Sequence, residues 1–177
     1  MVMRLFRRGA REEAAAALYQ AAVIQARRPE FYLAAAVPDT LDGRFDLLAL
    51  HVFLLLQRLR ADGRRTAGLA QAVFDLMFAD MDENLRELGV GDLSVGRKVK
   101  TMAKALMGRI AAYEPGLADQ PTLIRALGRN LYRGRPVAAE AVTQVARYVG
   151  AAAQDLAGQS TEALLAGRVR FVEPLYG

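Results

Sequence analysis

A chain of 177 residues with a hydrophobic fraction of 53% can bury the core of one domain, and its abundance of alanine favours helix over strand. The absence of cysteine excludes disulfides, thiolate metal sites and cysteine nucleophiles, and it fits a reducing compartment. A formal charge of +5 and a pI near 9.9 permit an anionic partner, but only Lys98, Lys100 and Lys104 among the 24 basic residues are lysine, the arginine bias of a GC-rich genome.

The opening segment sets Arg4, Arg7 and Arg8 beside Val2, Leu5 and Phe6, a pattern that suits a frayed, flexible end over residues 1–10 or a segment lying on a lipid surface. It holds no continuous apolar stretch before Glu12 and Glu13, which argues against a cleaved secretory signal. A helix is predicted from Arg11 to Arg27, burying Ala15, Leu18, Tyr19, Ala22 and Ala26, and Pro29 stops it. Pro38 then disfavours helical geometry at Val37, and Asp39, Thr40 or Asp42 can cap the next helix.

That next helix, over residues 41–60, is the predicted centre of the core. Phe45, Leu48, Val52, Leu55, Leu56 and Leu59 cover one side, Leu47, Leu50 and Leu54 much of the other, and Asp46, Gln57 and Arg60 form a narrow polar seam. A helix apolar nearly all round must be enclosed by others. Its longest apolar run, Leu47 to Leu56, is interrupted by His51 and is far short of the ~20 residues that cross a bilayer.

From Phe74 to Tyr113 an acid-rich helix, a Gly-Val-Gly-Asp turn and a base-rich helix form a predicted hairpin. Phe74, Met77, Phe78, Met81, Leu85 and Leu88 share one stripe, as do Val95, Val99, Met102, Leu106, Ile110 and Tyr113. Asp82 and Arg86 stand in the favourable order for an i,i+4 ion pair, whereas Glu83 and Glu87 repel and need cations from elsewhere. The basic flank of the second helix (Arg97, Lys100 and Lys104, with Lys98 and Arg109 nearer the apolar edge) makes cross-helix pairing available, and Ser94 is the expected N-cap. Three further helices are predicted over residues 121–132, 137–157 and 160–166, with Ser160 or Thr161 capping the last, and a tail over residues 167–177 packs Phe171 and Leu175 back on the bundle. The fold expected is all-α, a single-domain bundle of about seven helices spanning residues 1–177.

No reaction centre is visible. His51 is the single histidine, and its neighbours on the helix are leucines, so a neutral ring bonded to a carbonyl, tyrosine or aspartate is expected. Asp80 and Asp82 point about 160° apart on a helix, and Asp75 lies two turns from Asp82, too far for one ion. A carboxylate-metal enzyme on a helical bundle is therefore a minor alternative. Arg125, Arg129, Arg133 and Arg135 near one helix end motivate another, a basic RNA- or ribosome-binding adaptor; specific DNA binding is not expected.

The block FYLAAAVPDTLDGRFDLLALHVFLLLQRL, followed by FDLMFADMDENLRELGVGDLSVGRKVKTMAKALMGRIAAY, resembles the ubiquinol–cytochrome c chaperone family, assembly factors of the cytochrome bc1 complex. The similarity covers residues 31–113, and MDENLRELGVGDLSVGRKVK is its most specific element. Matching positions are Asp39, Thr40, Arg44, His51, Asp82, Arg86, Glu87, Gly89, Asp92, Lys100, Gly108, Arg109 and Tyr113. The resemblance implies a non-enzymatic chaperone without cofactor or metal, which binds newly made cytochrome b or another bc1 subunit, with the ribosome or a membrane surface as further partners. It places the protein in the cytoplasm, peripherally at the inner face of the cytoplasmic membrane, or in the matrix of a mitochondrion. Asp82, Arg86, Glu87, Lys100 and Arg109 are expected to form a polar network over apolar helices, beside a groove that accepts an apolar client segment.

Overall fold

The computed structural model describes the backbone of residues 2–174 and the side chains from residue 9 onward. Among these residues it contains eight α-helices and no strand: α1 (Val2–Ala26), α2 (Pro29–Leu33), α3 (Leu41–Ala61), α4 (Ala67–Glu87), α5 (Asp92–Tyr113), α6 (Gln120–Asn130), α7 (Ala139–Gly158) and α8 (Thr161–Leu165). Seven of them are the predicted ones. The eighth, α2, is a single turn that starts on Pro29, whose fixed φ suits a first helical position. None is long and apolar enough to cross a membrane.

Enclosure of α3 organises the rest. Every residue from Phe45 to Leu56 is buried, and α1, α4, α5 and α7 all pack on this helix. Its start is fixed by two local contacts: Thr40 accepts a hydrogen bond from the Gly43 amide at 3.1 Å, and the Gly43 Cα lies against the Pro38 carbonyl so closely that a Cβ would sit 1.9 Å from the oxygen. Its end is clamped by Arg58, which donates to the Leu156 carbonyl at 2.9 Å, the Gln159 carbonyl at 2.7 Å and the Asp62 carboxylate at 2.6 Å.

The other helices depart from the predicted bounds where capping decided differently. Helix α1 reaches back to Val2, through the segment expected to fray, and α4 begins at Ala67, seven residues before Phe74. Thr66 does not cap α4, because its hydroxyl turns back to donate to the Leu59 carbonyl. Ser94 does not cap α5 either. Gly91 takes the extended cap conformation, and Asp92 enters the first turn, where a carboxylate complements the helix dipole. Between them Gly89 has φ +79°, and the Val90 amide bonds the Leu85 carbonyl at 3.0 Å, a left-handed helix end of the kind that glycine permits.

At the other end of the chain Ser160 caps α8, accepting from the Ala163 amide at 3.1 Å, while the Thr161 hydroxyl donates to Asp62. The tail returns as expected as far as it is described. Its Val172 carbonyl accepts from Gln25 at 2.9 Å, and the Phe171 ring meets His51 edge-on at 5.4 Å. Leu175, and the side chains of Val2, Arg4, Leu5, Phe6, Arg7 and Arg8, lie outside the described residues.

Gly43→Ala should destabilise the fold by about 1 to 3 kcal/mol through this overlap, although alanine is the better helix former. A denaturant titration in which the alanine variant matches or exceeds the parent would show that the approach of Pro38 to α3 is not rigid.

Candidate functional site

The hairpin of α4 and α5 lines an open groove of about 520 Å³, shared with the C-terminal end of α1 and the first turns of α3. Its floor is apolar: Val23 and Ala26 from α1, Phe45 and Leu48 from α3, Met81, Leu85 and Leu88 from α4, Met102 and Ala105 from α5. The same helical stripes that close the core elsewhere here run past the end of their partners. Leu41 and Leu88, 66% and 62% exposed, mark the rim.

One end of the groove is built on a buried charge. Asp46, wholly inaccessible on α3, accepts from Arg133 at 2.6 and 3.3 Å and from Arg109 of α5, and Arg133 also reaches Asp42 at 2.8 Å. Burial pushes the Asp46 carboxyl up, against the opposing pull of the two guanidiniums. Arg133 follows α6 with φ +53°, a conformation that L residues rarely adopt, and this turns its guanidinium onto the carboxylate; Gly134 continues the left-handed turn at φ +68°. The Arg109 guanidinium also stands 5.6 Å from the Phe45 ring centroid. Two polar atoms beneath this cluster, Arg109 Nε and the Tyr113 hydroxyl oxygen, are buried without a hydrogen-bond partner.

The predicted site residues do not form one network. Arg86 bonds Asp82 at 2.6 Å and bridges the hairpin turn to Asp92. Glu87 and Lys100 are exposed and without an ion pair among the described residues, as are Glu83, Arg97 and Lys104. Arg109 belongs instead with Asp46 and Arg133. Asp39 and Arg44 form an exposed pair at 2.6 Å near the groove mouth, the guanidinium holding the Asp39 carboxyl below the usual range, and Thr40 is the α3 cap already described.

His51 is enclosed in the core, far from a reacting role. Its Nδ1 lies 2.8 Å from the Leu47 carbonyl, which can only accept, so Nδ1 carries the proton and Nε2 accepts from the Tyr148 hydroxyl at 2.9 Å. Gln25 donates in turn to Tyr148 at 3.0 Å. Burial depresses the imidazole to about 4. The carboxylates considered for metal are similarly engaged: Asp80 accepts from Tyr19 at 2.7 Å, Asp75 from Gln71 at 2.7 Å, and no group of metal-ligating side chains gathers among the described residues.

Asp46 and Arg133 were missed as site residues. Asp46 stands in the narrow polar seam expected with Gln57 and Arg60, and a carboxylate between Phe45 and Leu47 in an enclosed helix already signals a buried ion pair. Arg133 was grouped with Arg125, Arg129 and Arg135 as a nucleic-acid patch. Its ties to Asp46 and Asp42, and the hydrogen bond of Arg125 to Thr122 at 2.7 Å, weaken that patch.

A family described as ubiquinol-cytochrome C chaperone matches residues 33–171. Ubiquinol-cytochrome c reductase complex assembly factor 1 of Mus musculus is 27% identical over 160 residues, 89% of this chain and 54% of that protein. The mitochondrial protein CBP3 of Saccharomyces cerevisiae is 30% identical over 149 residues, 81% of this chain and 44% of that protein. The chain spans about half the length of the curated relatives it matches. The crystal structure of the Cbp3 homolog from Brucella abortus superimposes with a TM-score of 0.86 at 35% identity, covering 98% of both chains.

The buried imidazole gives a pH signature. Its folded value lies below the ordinary 6.5, so the unfolded chain binds more protons on the acid side; stability is full above about 6.5 and declines as pH falls toward about 4. Going from pH 7 to pH 5, His51 should remove about 2 kcal/mol, seen as a lower urea midpoint, and His51→Gln should remove that slope. An identical slope in the variant would contradict a ring held neutral.

Proposed function

The chain belongs to the ubiquinol–cytochrome c chaperone family, and on that premise we propose that it is an assembly chaperone for ubiquinol–cytochrome c reductase which shields an apolar segment of newly made cytochrome b in the groove between α1, α3, α4 and α5. The family is one of chaperones and not of enzymes. The observation that carries the reading is an apolar floor left open where the apolar stripes of α1, α3, α4 and α5 otherwise pack into the core among the described residues.

Grip by such a surface needs little chemistry. An apolar client segment, costly to leave in water, gains about 25 cal/mol for each Å² it buries, and a client with several side chains in the groove is held by a few kcal/mol. That strength permits later release to the assembling complex. Small rim charges add register and rate more than affinity. The Asp46 junction has a supporting part: it fixes α3, α5 and the end of α6 relative to one another, so the floor residues are presented as one surface.

Replacing Leu88 or Leu41 by Glu should reduce the cytochrome b recovered with the tagged chain by about tenfold or more, since one well-buried leucine is worth roughly 1.5 to 3 kcal/mol. Both side chains are largely exposed, so thermal unfolding should move little. Undiminished recovery from both variants would remove the groove from client binding, and normal cytochrome b and bc1 levels in a clean deletion would remove the client itself.

A further inference from the structure

The groove is not electrically neutral once its internal pairs are counted. Five cationic side chains line it (Arg27, Arg44, Lys98, Arg109 and Arg133) against two carboxylates, Asp42 and Asp80. Asp42 pairs with Arg133, whereas Asp80 accepts only from the neutral Tyr19 hydroxyl and keeps its negative charge. Arg44 is paired with Asp39, and Arg109 and Arg133 share the buried Asp46. Arg27, just past α1, and Lys98, in the second turn of α5, have no ion-pair partner among the described residues. With Asp80 counted against them, Arg27 and Lys98 leave the groove one net positive charge at the edge of an apolar floor, where an added carboxylate is met by a free cation.

We infer that the groove selects a helical client segment which carries a carboxylate side chain on an otherwise apolar face, with Arg27 and Lys98 as the residues that read it. This rests on the reading of the groove as the client site and names the chemistry of the client. A helix is the occupant that fits: with a diameter near 10 Å and a pitch of 5.4 Å, one turn fills roughly 400 Å³, so a groove of about 520 Å³ takes one face of about two turns. A carboxylate in such a segment is expensive to bury alone, and a cation at the groove edge lowers that cost. The two cations would thereby separate a segment that still needs shielding from a uniformly apolar helix ready for the bilayer.

The test uses the full chain and three synthetic leucine-rich helical peptides of about 18 residues, long enough to hold helix in isolation, which differ only in a central Glu, Gln or Lys. Fluorescence anisotropy should give the Glu peptide about tenfold tighter binding than the Gln peptide, with the Lys peptide weakest and the gap narrowing as salt is raised. In the double variant Arg27→Met, Lys98→Met the Glu and Gln peptides should bind alike, with the Gln affinity unchanged. Equal binding of Glu and Gln peptides to the parent, or a preference that survives in the double variant, overturns the inference. Oleate binding with no peptide binding also overturns it, in favour of a lipid anion. Failure here with cytochrome b still recovered leaves the client reading intact; a Glu preference without cytochrome b recovery retains the anion reading and removes the named client.

Discussion

A single buried carboxylate anchors one end of the groove. Asp46 lies on the most enclosed helix of the bundle, and it survives there because Arg109 from α5 and Arg133 from the turn after α6 converge on it. Buried pairs contribute little net stability compared with apolar residues of the same shape, yet removing one partner leaves an uncompensated charge and is strongly destabilising. The junction therefore specifies geometry more than it supplies energy. It joins three segments distant in sequence, and it accepts an unfavourable backbone angle at Arg133 to do so.

The groove lies beside that junction, with Arg109 and Arg133 in its lining. Helices α4 and α5 carry apolar stripes longer than the partners that cover them. Arg109 ties α5 to α3 at this end, and Met81, Leu85, Leu88 and Met102 line the groove beside it. The same cluster places its guanidiniums at one end of an apolar trough, so shape and charge are supplied by one set of contacts. His51, the side chain whose ordinary pKa lies nearest neutrality, is sealed in the core as a neutral link between α3, Tyr148 and the returning tail.

Much of the fold was legible in the sequence because its signals are periodic. The nearly all-round apolar character of residues 41–60 correctly marked the central helix, and the paired stripes after Phe74 marked the hairpin that lines the groove. Boundaries were less legible, since Ser94 has the chemistry of a cap and was overruled by Gly91 and Asp92. The site was read only in part. Local pairs such as Asp39 with Arg44 and Asp82 with Arg86 follow from spacing, but Asp46 with Arg133 spans 87 residues, a separation no helical period reports. Glu87 and Lys100, expected in one polar network, have no ion pair: Glu87 ends α4 at the turn, whereas Lys100 lies eight residues into α5, about 12 Å of helix rise beyond it.

The central claim is that this trough holds the client. A photoreactive amino acid placed at Leu88 or Met102, in cells synthesising cytochrome b, should on irradiation yield a covalent adduct with cytochrome b, while the same group at Leu165, exposed on α8 away from the groove, should yield none. Adducts of equal strength from Leu165, or their absence from both groove positions while the two proteins still associate, would contradict the account.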